Sequence, residues 1–202
     1  MWFAYLVLAQ LFCSFAISST NPFGCKNKKI GDDWRKAVVD FHNQYRRMLA
    51  SGKQTTAGGK LMPYAKNMNE LSWDCDLEEV AHSQLCNGLS LDDIYAVLYN
   101  NMNVFADVIK RTISELKYWW SEAEEVDLSL EPKYSYLYND FFAAMAYAKN
   151  TRFACTYGNC STGGILQCVY EQKPHDGELI YQKAKTPKKI CTACTVDHKN
   201  ET

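Results

Sequence analysis

Tyr147-Ala148-Lys149-Asn150-Thr151-Arg152-Phe153-Ala154-Cys155, followed by Cys160 and then Cys168-Val169-Tyr170, is the stretch on which the fold turns. Ahead of it, apolar residues recur at three- and four-residue steps; after Asn150 they recur at every second position. That change of period marks the passage from helices to strands. Residues 152–157, 164–171 and 178–182 read as strands, with His175-Asp176-Gly177 as the turn between the last two. Helices first and strands later predict an α+β domain, with helices packed over a largely antiparallel sheet.

Working towards the N-terminus, 140–148 fits a short helix, and 126–138 is irregular, with Pro132 and alternating Tyr134, Tyr136 and Tyr138. A longer helix is expected over 104–124 on the line Phe105, Val108, Ile109, Thr112, Ile113, Leu116, Trp119 and Trp120. Another starts near Asp74 or Asp76 and carries Leu77, Val80, Ala81 and Leu85 on one face. A further helix is expected over 65–71. The strongest is 33–51, with Trp34, Val38, Phe41, Tyr45, Met48 and Leu49 on one stripe, Asp32 or Asp33 to cap it and Gly52 to end it.

The first residues are almost continuously apolar from Trp2 to Ala16, with small residues Ser14, Ala16 and Ser18 at candidate cleavage positions. The run is shorter than the ~20 residues a membrane span needs, so residues 1–18 read as a secretory signal peptide. Its removal takes Cys13 and leaves Cys25, Cys75, Cys86, Cys155, Cys160, Cys168, Cys191 and Cys194. An even count in a secreted chain implies four disulfides, whose pairing the sequence leaves open. Zinc is the rival use of cysteine, but Cys191–Cys194 is the one C-x-x-C pair, with His198 the one histidine nearby, short of a paired four-ligand set. A net charge of −1 gives no attraction to nucleic acid or anionic membrane. The acidic run Glu122, Glu124, Glu125, Asp127, Glu131 and the basic Lys183, Lys185, Lys188, Lys189 read as solvated surface.

Four stretches resemble one secreted family. They are Phe41-His42-Asn43-Gln44-Tyr45-Arg46; Met68-Asn69-Glu70-Leu71-Ser72-Trp73-Asp74 with Leu77, Glu78 and Ala81; Trp119-Trp120-Ser121-Glu122; and Asp140 through Cys155 to Cys168-Val169-Tyr170. Together they look like the CAP superfamily of cysteine-rich secretory, antigen 5 and plant pathogenesis-related proteins, nearest to the nematode activation-associated secreted and venom-allergen-like branch. The resemblance covers Trp34 to Cys194. It implies a three-layer α-β-α sandwich braced by disulfides, with the CAP/SCP domain over 30–183 and a Cys-containing tail over 184–202, held loosely except where Cys191 and Cys194 pin it.

In that family a groove commonly holds two His and two Glu that can bind a divalent metal. The matching positions here are Ser90, Asp92, Glu122 and Phe141, so one carboxylate is kept and both imidazoles are lost. Phe141 has no lone pair to donate, and two surface carboxylates hold a transition metal poorly. No metal and no cofactor are expected. Nor is an enzyme: the cysteines are used in bridges, and His42, His82, His175 and His198 read as surface, core-edge, turn and tail residues, not as bases beside a nucleophile. The expected role is that of a secreted, extracellular protein that binds a host protein or receptor at the host–parasite interface. The alternative is a lipid or sterol carrier lined by Tyr134, Tyr136, Tyr138, Phe141 and Phe142, residues that ordinary core packing also explains.

Overall fold

The computed structural model describes residues 23–87 and 94–194. In chain order the elements are α1 (Asp32–Ala50), β1 (Thr55–Thr56), β2 (Lys60–Leu61), β3 (Ser72–Trp73), α2 (Cys75–Gln84), β4 (Ala96–Asn101), α3 (Val108–Ser121), α4 (Asp140–Ala146), β5 (Arg152–Cys160) and β6 (Gly163–Tyr170). β1 and β2 form a small hairpin; the main sheet runs β3-β5-β6-β4. β5 pairs with β6 and β6 with β4 antiparallel, while the two-residue β3 joins β5 in parallel. No helix among the described residues is long and apolar enough to cross a membrane.

The alternation along β5 and β6 builds three layers. Phe153, Cys155, Leu166, Cys168 and Tyr170 enter one buried cluster with Trp34, Val38 and Phe41 of α1, Leu116 and Trp119 of α3 and Phe142 of α4. Ala154 and Val169, pointing the other way, pack with Leu77 and Ala81 of α2. The sheet therefore lies between α1, α3 and α4 on one face and α2 on the other. Cys155 and Cys168 stand opposite each other in the ladder and are joined across it. Cys25–Cys75 and Cys86–Cys160 fasten the two ends of α2, to the N-terminal segment and to the end of β5.

Local chemistry sets the helix limits. α1 has Asp32 and Asp33 in its first turn and Arg47 in its last, complementing its dipole. It stops at Gly52, whose φ of 65° suits glycine; a Cβ there would also stand 2.8 Å from the Tyr64 ring. The Asp74 carboxylate caps α2 by accepting the Asp76 and Leu77 N–H groups. α3 begins at Val108 rather than 104: Asp107 caps it by accepting the Lys110 N–H, and Phe105 is left 82% exposed.

Two expected elements do not form. Residues 65–71 are not helical, because their amides bond elsewhere: Ala65 N–H to Ala50 O and Lys66 N–H to Gln182 O. Residues 178–182 join no sheet: Leu179 makes a single antiparallel bridge to Lys133, and the chain bends at Ile180 and Tyr181. Ile180 N–H reaches Pro132 O, the Glu178 and Ile180 carbonyls accept from Tyr134 and Ala148, and Gln182 N–H reaches Asn67 Oδ1, so the segment stitches several loops together. β4 takes the edge place in the sheet. The tail also differs: Cys191 and Cys194 bond each other and do not pin it to the body. Backbone bonds from Ala184, Cys191 and Ala193 to the carbonyls of Tyr64, Ala65 and Lys66 hold it instead.

Three buried polar side chains lock the layers. Arg35 reaches Glu78 through Nε and Nη2, both at 2.7 Å, and Asp32 through Nη1; Trp73 Nε1 also donates to Glu78. This pair ties α1 to α2 past the sheet edge, with both side chains at most 2% exposed. His42 is core, not core-edge. Its Nδ1 lies 2.8 Å from Val38 O, a carbonyl that can only accept, so Nε2 accepts the Tyr170 O–H at 2.8 Å. Burial pulls its pKa down to about 3, so the ring is neutral at physiological pH. Arg46 donates to the carbonyls of Asn69, Met145 and Tyr147. Removing one member of a buried ion pair strands the other charge. Glu78→Ala is therefore expected to cost about 3–5 kcal/mol, read from urea unfolding of the oxidised protein.

Candidate functional site

α3 runs into a 3-10 turn at Glu122–Glu124, which brings the Glu122 carboxylate to the start of α4. Glu122 Oε2 accepts the Phe142 N–H at 3.1 Å. Phe141, the residue before, lies flat against Trp119 of α3, with ring centroids 5.5 Å apart and planes 13° from parallel. Of the four groove positions, Glu122 and Phe141 are thus brought together between α3 and α4. Ser90 and Asp92 lie outside the described residues.

Glu122 is half-buried, and this is the feature the sequence did not disclose. Desolvation raises its pKa to about 7, partly countered by the amides of Phe142 and Phe141 and reinforced by Asp140 and Glu125. A carboxyl that titrates near neutrality can exchange a proton. Every described cysteine is in a disulfide, so none of them is a free thiol beside it. His42 is sealed in the core, and His82 faces the wholly buried Thr156, with Nδ1 2.9 Å from its Oγ1. Asp140, at the start of α4, accepts the Tyr134 O–H at 2.6 Å.

Of the two described positions, only Glu122 offers donor atoms to a metal. Phe141 contributes a hydrocarbon face, and one Glu122 oxygen is engaged by a backbone amide. Among the described residues no three His, Cys, Asp or Glu side chains converge on a point.

The expected aromatic lining divides in two. Tyr134 and Phe142 are core residues, 3% and 0% exposed. Tyr136, Leu137 and Tyr138 form an outward turn just ahead of α4, exposed by 62%, 64% and 59%. A separate concavity of about 420 Å³ lies at the far end of α2, lined among others by His82, Leu85, Val104, Phe105 and Tyr157.

Two measurements check this account. Because the folded state holds the Glu122 proton more tightly than the unfolded chain does, its contribution is complete below pH 4.5 and is lost as pH rises through about 7. Allowing for solvent screening, the loss is about 1–2 kcal/mol. Glu122→Gln, neutral at every pH, should flatten that slope and match or exceed the wild type in stability at pH 8, by chemical denaturation across the range. Calorimetric titration with zinc should show no submicromolar site.

Comparison with known proteins agrees with the geometry. Residues 39–170 match the model of the CAP family, described as the cysteine-rich secretory protein family. Ancylostoma secreted protein of Ancylostoma caninum is 35% identical over 172 residues, 82% of this chain and 40% of that protein. The crystal structure of Na-ASP-1 superposes with a TM-score of 0.70 at 29% identity, over 80% of this chain and 42% of that one. BmVAL-1 does so with a TM-score of 0.68 at 26% identity, over 85% and 96%. The chain thus spans less than half the length of the first two. Its family model, its disulfide-braced α-β-α layers and its relatives converge: the chain belongs to the CAP family of cysteine-rich secretory proteins.

Proposed function

We propose that this chain is a secreted, non-enzymatic binding protein that engages a host protein or receptor at the host–parasite interface. The observation that carries the reading is the outward turn Tyr136-Leu137-Tyr138, three residues ahead of Phe141, where the family resemblance implies a metal ligand. Three consecutive large side chains more than half exposed on a disulfide-braced body cost solubility. Tyrosine in such a place supplies a large, stiff contact surface with a polar tip, the composition favoured at recognition surfaces. The partly desolvated Glu122 and the Phe141–Trp119 stack support a surface that receives a partner without chemistry. The relatives named as secreted and venom-allergen proteins, together with the four disulfides, support an extracellular setting.

The test compares the wild type with Tyr136→Ser/Tyr138→Ser in pull-downs from host serum and leukocyte membranes, quantified by mass spectrometry. Since both residues are exposed, the variant should fold normally by circular dichroism. A partner retained by the wild type and reduced about tenfold or more by the variant supports the reading. Equal capture by both, or none by either, overturns it. Solvent extraction of the purified protein covers the carrier alternative: a stoichiometric lipid or sterol would replace the reading proposed here.

A further inference from the structure

The four disulfides are not alike. Cys25–Cys75 and Cys86–Cys160 join positions 50 and 74 residues apart, and Cys155–Cys168 crosses the central ladder. Cys191–Cys194 closes a loop over a separation of 3. That loop lies just beyond the turn Pro187–Lys189, with Cys191 exposed and Cys194 half-buried. Cys191 has a φ of 55°, in the left-handed region that residues with a Cβ disfavour. Opening the bridge frees the backbone to leave it.

What becomes of the two sulfurs after reduction separates this bridge from the others. Cys86 is also exposed, but it stands two residues past α2 and Cys160 ends β5, and the packing of α2 on β5 keeps the two positions close. A thiol pair held in register re-forms its bond readily and resists reduction. The Cys191–Cys194 turn rests on the body through the Cys191 and Ala193 amides, on Ala65 O and Lys66 O, and through Ile190 just ahead of it, whose partly buried side chain touches the core. With so little to hold it, the dithiol can relax apart, the condition under which a disulfide is labile. Two neighbours favour the products. Lys188 and Lys189 immediately precede the loop, and no acidic residue lies between Leu179 and Cys194, so the local field favours a departing thiolate. The Met68 carbonyl, 3.2 Å from Cys194 Sγ, is placed to accept its S–H once a proton returns.

We propose that Cys191-Thr192-Ala193-Cys194 is a thiol–disulfide exchange site that takes electrons from small thiols of the glutathione class. The incoming thiolate attacks the exposed Cys191 Sγ. A new S–S bond joins thiol and Cys191, the Cys191–Cys194 bond breaks, and Cys194 leaves as a thiolate that takes a proton from water. A second thiolate attacks the sulfur of the bound thiol, releasing the oxidised disulfide of the two small thiols and the Cys191 thiolate. Two electrons pass from two thiols to the bridge, and the protein body keeps its other three disulfides.

The experiment equilibrates the full chain in glutathione buffers of graded reduced-to-oxidised ratio at neutral pH. Free thiols are trapped with an alkylating tag and located by peptide mass spectrometry. Cys191 and Cys194 should become labelled at a buffer at least about tenfold more oxidising than the one that opens Cys86–Cys160. Labelling of Cys86 and Cys160 first, or all eight cysteines opening in one step, overturns the proposal. Cys194→Ala adds a second readout, since its lone Cys191 should accumulate as the glutathione mixed disulfide; failure to form that adduct in the folded variant also overturns it. If that variant does not fold, the order of labelling in the wild type decides alone.

Discussion

The arrangement rests on one buried cation. Arg46, on α1 one turn past His42, is 1% exposed and directs its guanidinium at the main-chain oxygens of Asn69, Met145 and Tyr147. A charge taken out of water is costly unless dipoles replace the lost solvent. Here carbonyl groups do so, and they belong to segments that no strand ladder would satisfy. Met145 lies in the last turn of α4, where the helix dipole is negative, so the cation also anchors that end of the helix. With its end fixed against α1, the start of α4 is brought to the end of α3. The contact between Glu122 and the Phe142 amide is a product of that placement.

The meeting of α3 with α4 follows from the same geometry. The Trp119 indole N–H is buried among the described residues without a hydrogen-bond partner, an arrangement that carries a free-energy cost. Phe141 stacks on its ring. An imidazole in that place would bring polarity and lone pairs; a phenyl ring brings neither. Partial burial lets the nearby Glu122 hold its proton to about pH 7.

Much of this was legible in the residues, and the parts that were not share a cause. α1 is readable because its stripe is long and regular, and β5 and β6 because Phe153, Cys155, Leu166, Cys168 and Tyr170 alternate with residues facing α2. Asp74 advertises the start of α2 through its capping side chain. Segments 65–71 and 178–182 misled because their apolar pattern is real, while their backbone partners lie in loops distant in sequence. β4 stayed hidden because its sequence, Ala-Val-Leu-Tyr-Asn-Asn, is short and ends in polar residues. Disulfide pairing and the state of Glu122 are properties of the packed body: both depend on which surfaces meet, and periodicity does not encode that.

The bridges overlap along the chain in a way that matters whenever its backbone is cut. Cys25–Cys75 spans from Cys25 to the start of α2, while Cys86–Cys160 and Cys155–Cys168 together span from Cys86 to Cys168 without a break. A single nick anywhere in those intervals leaves both fragments covalently joined. The stretch between the two intervals is α2 itself, whose hydrogen-bonded backbone is a poor substrate for cleavage. Hydrolysis of one peptide bond across most of the chain thus leaves a clipped molecule whose surface, and whatever antibodies or receptors read there, remains in one piece.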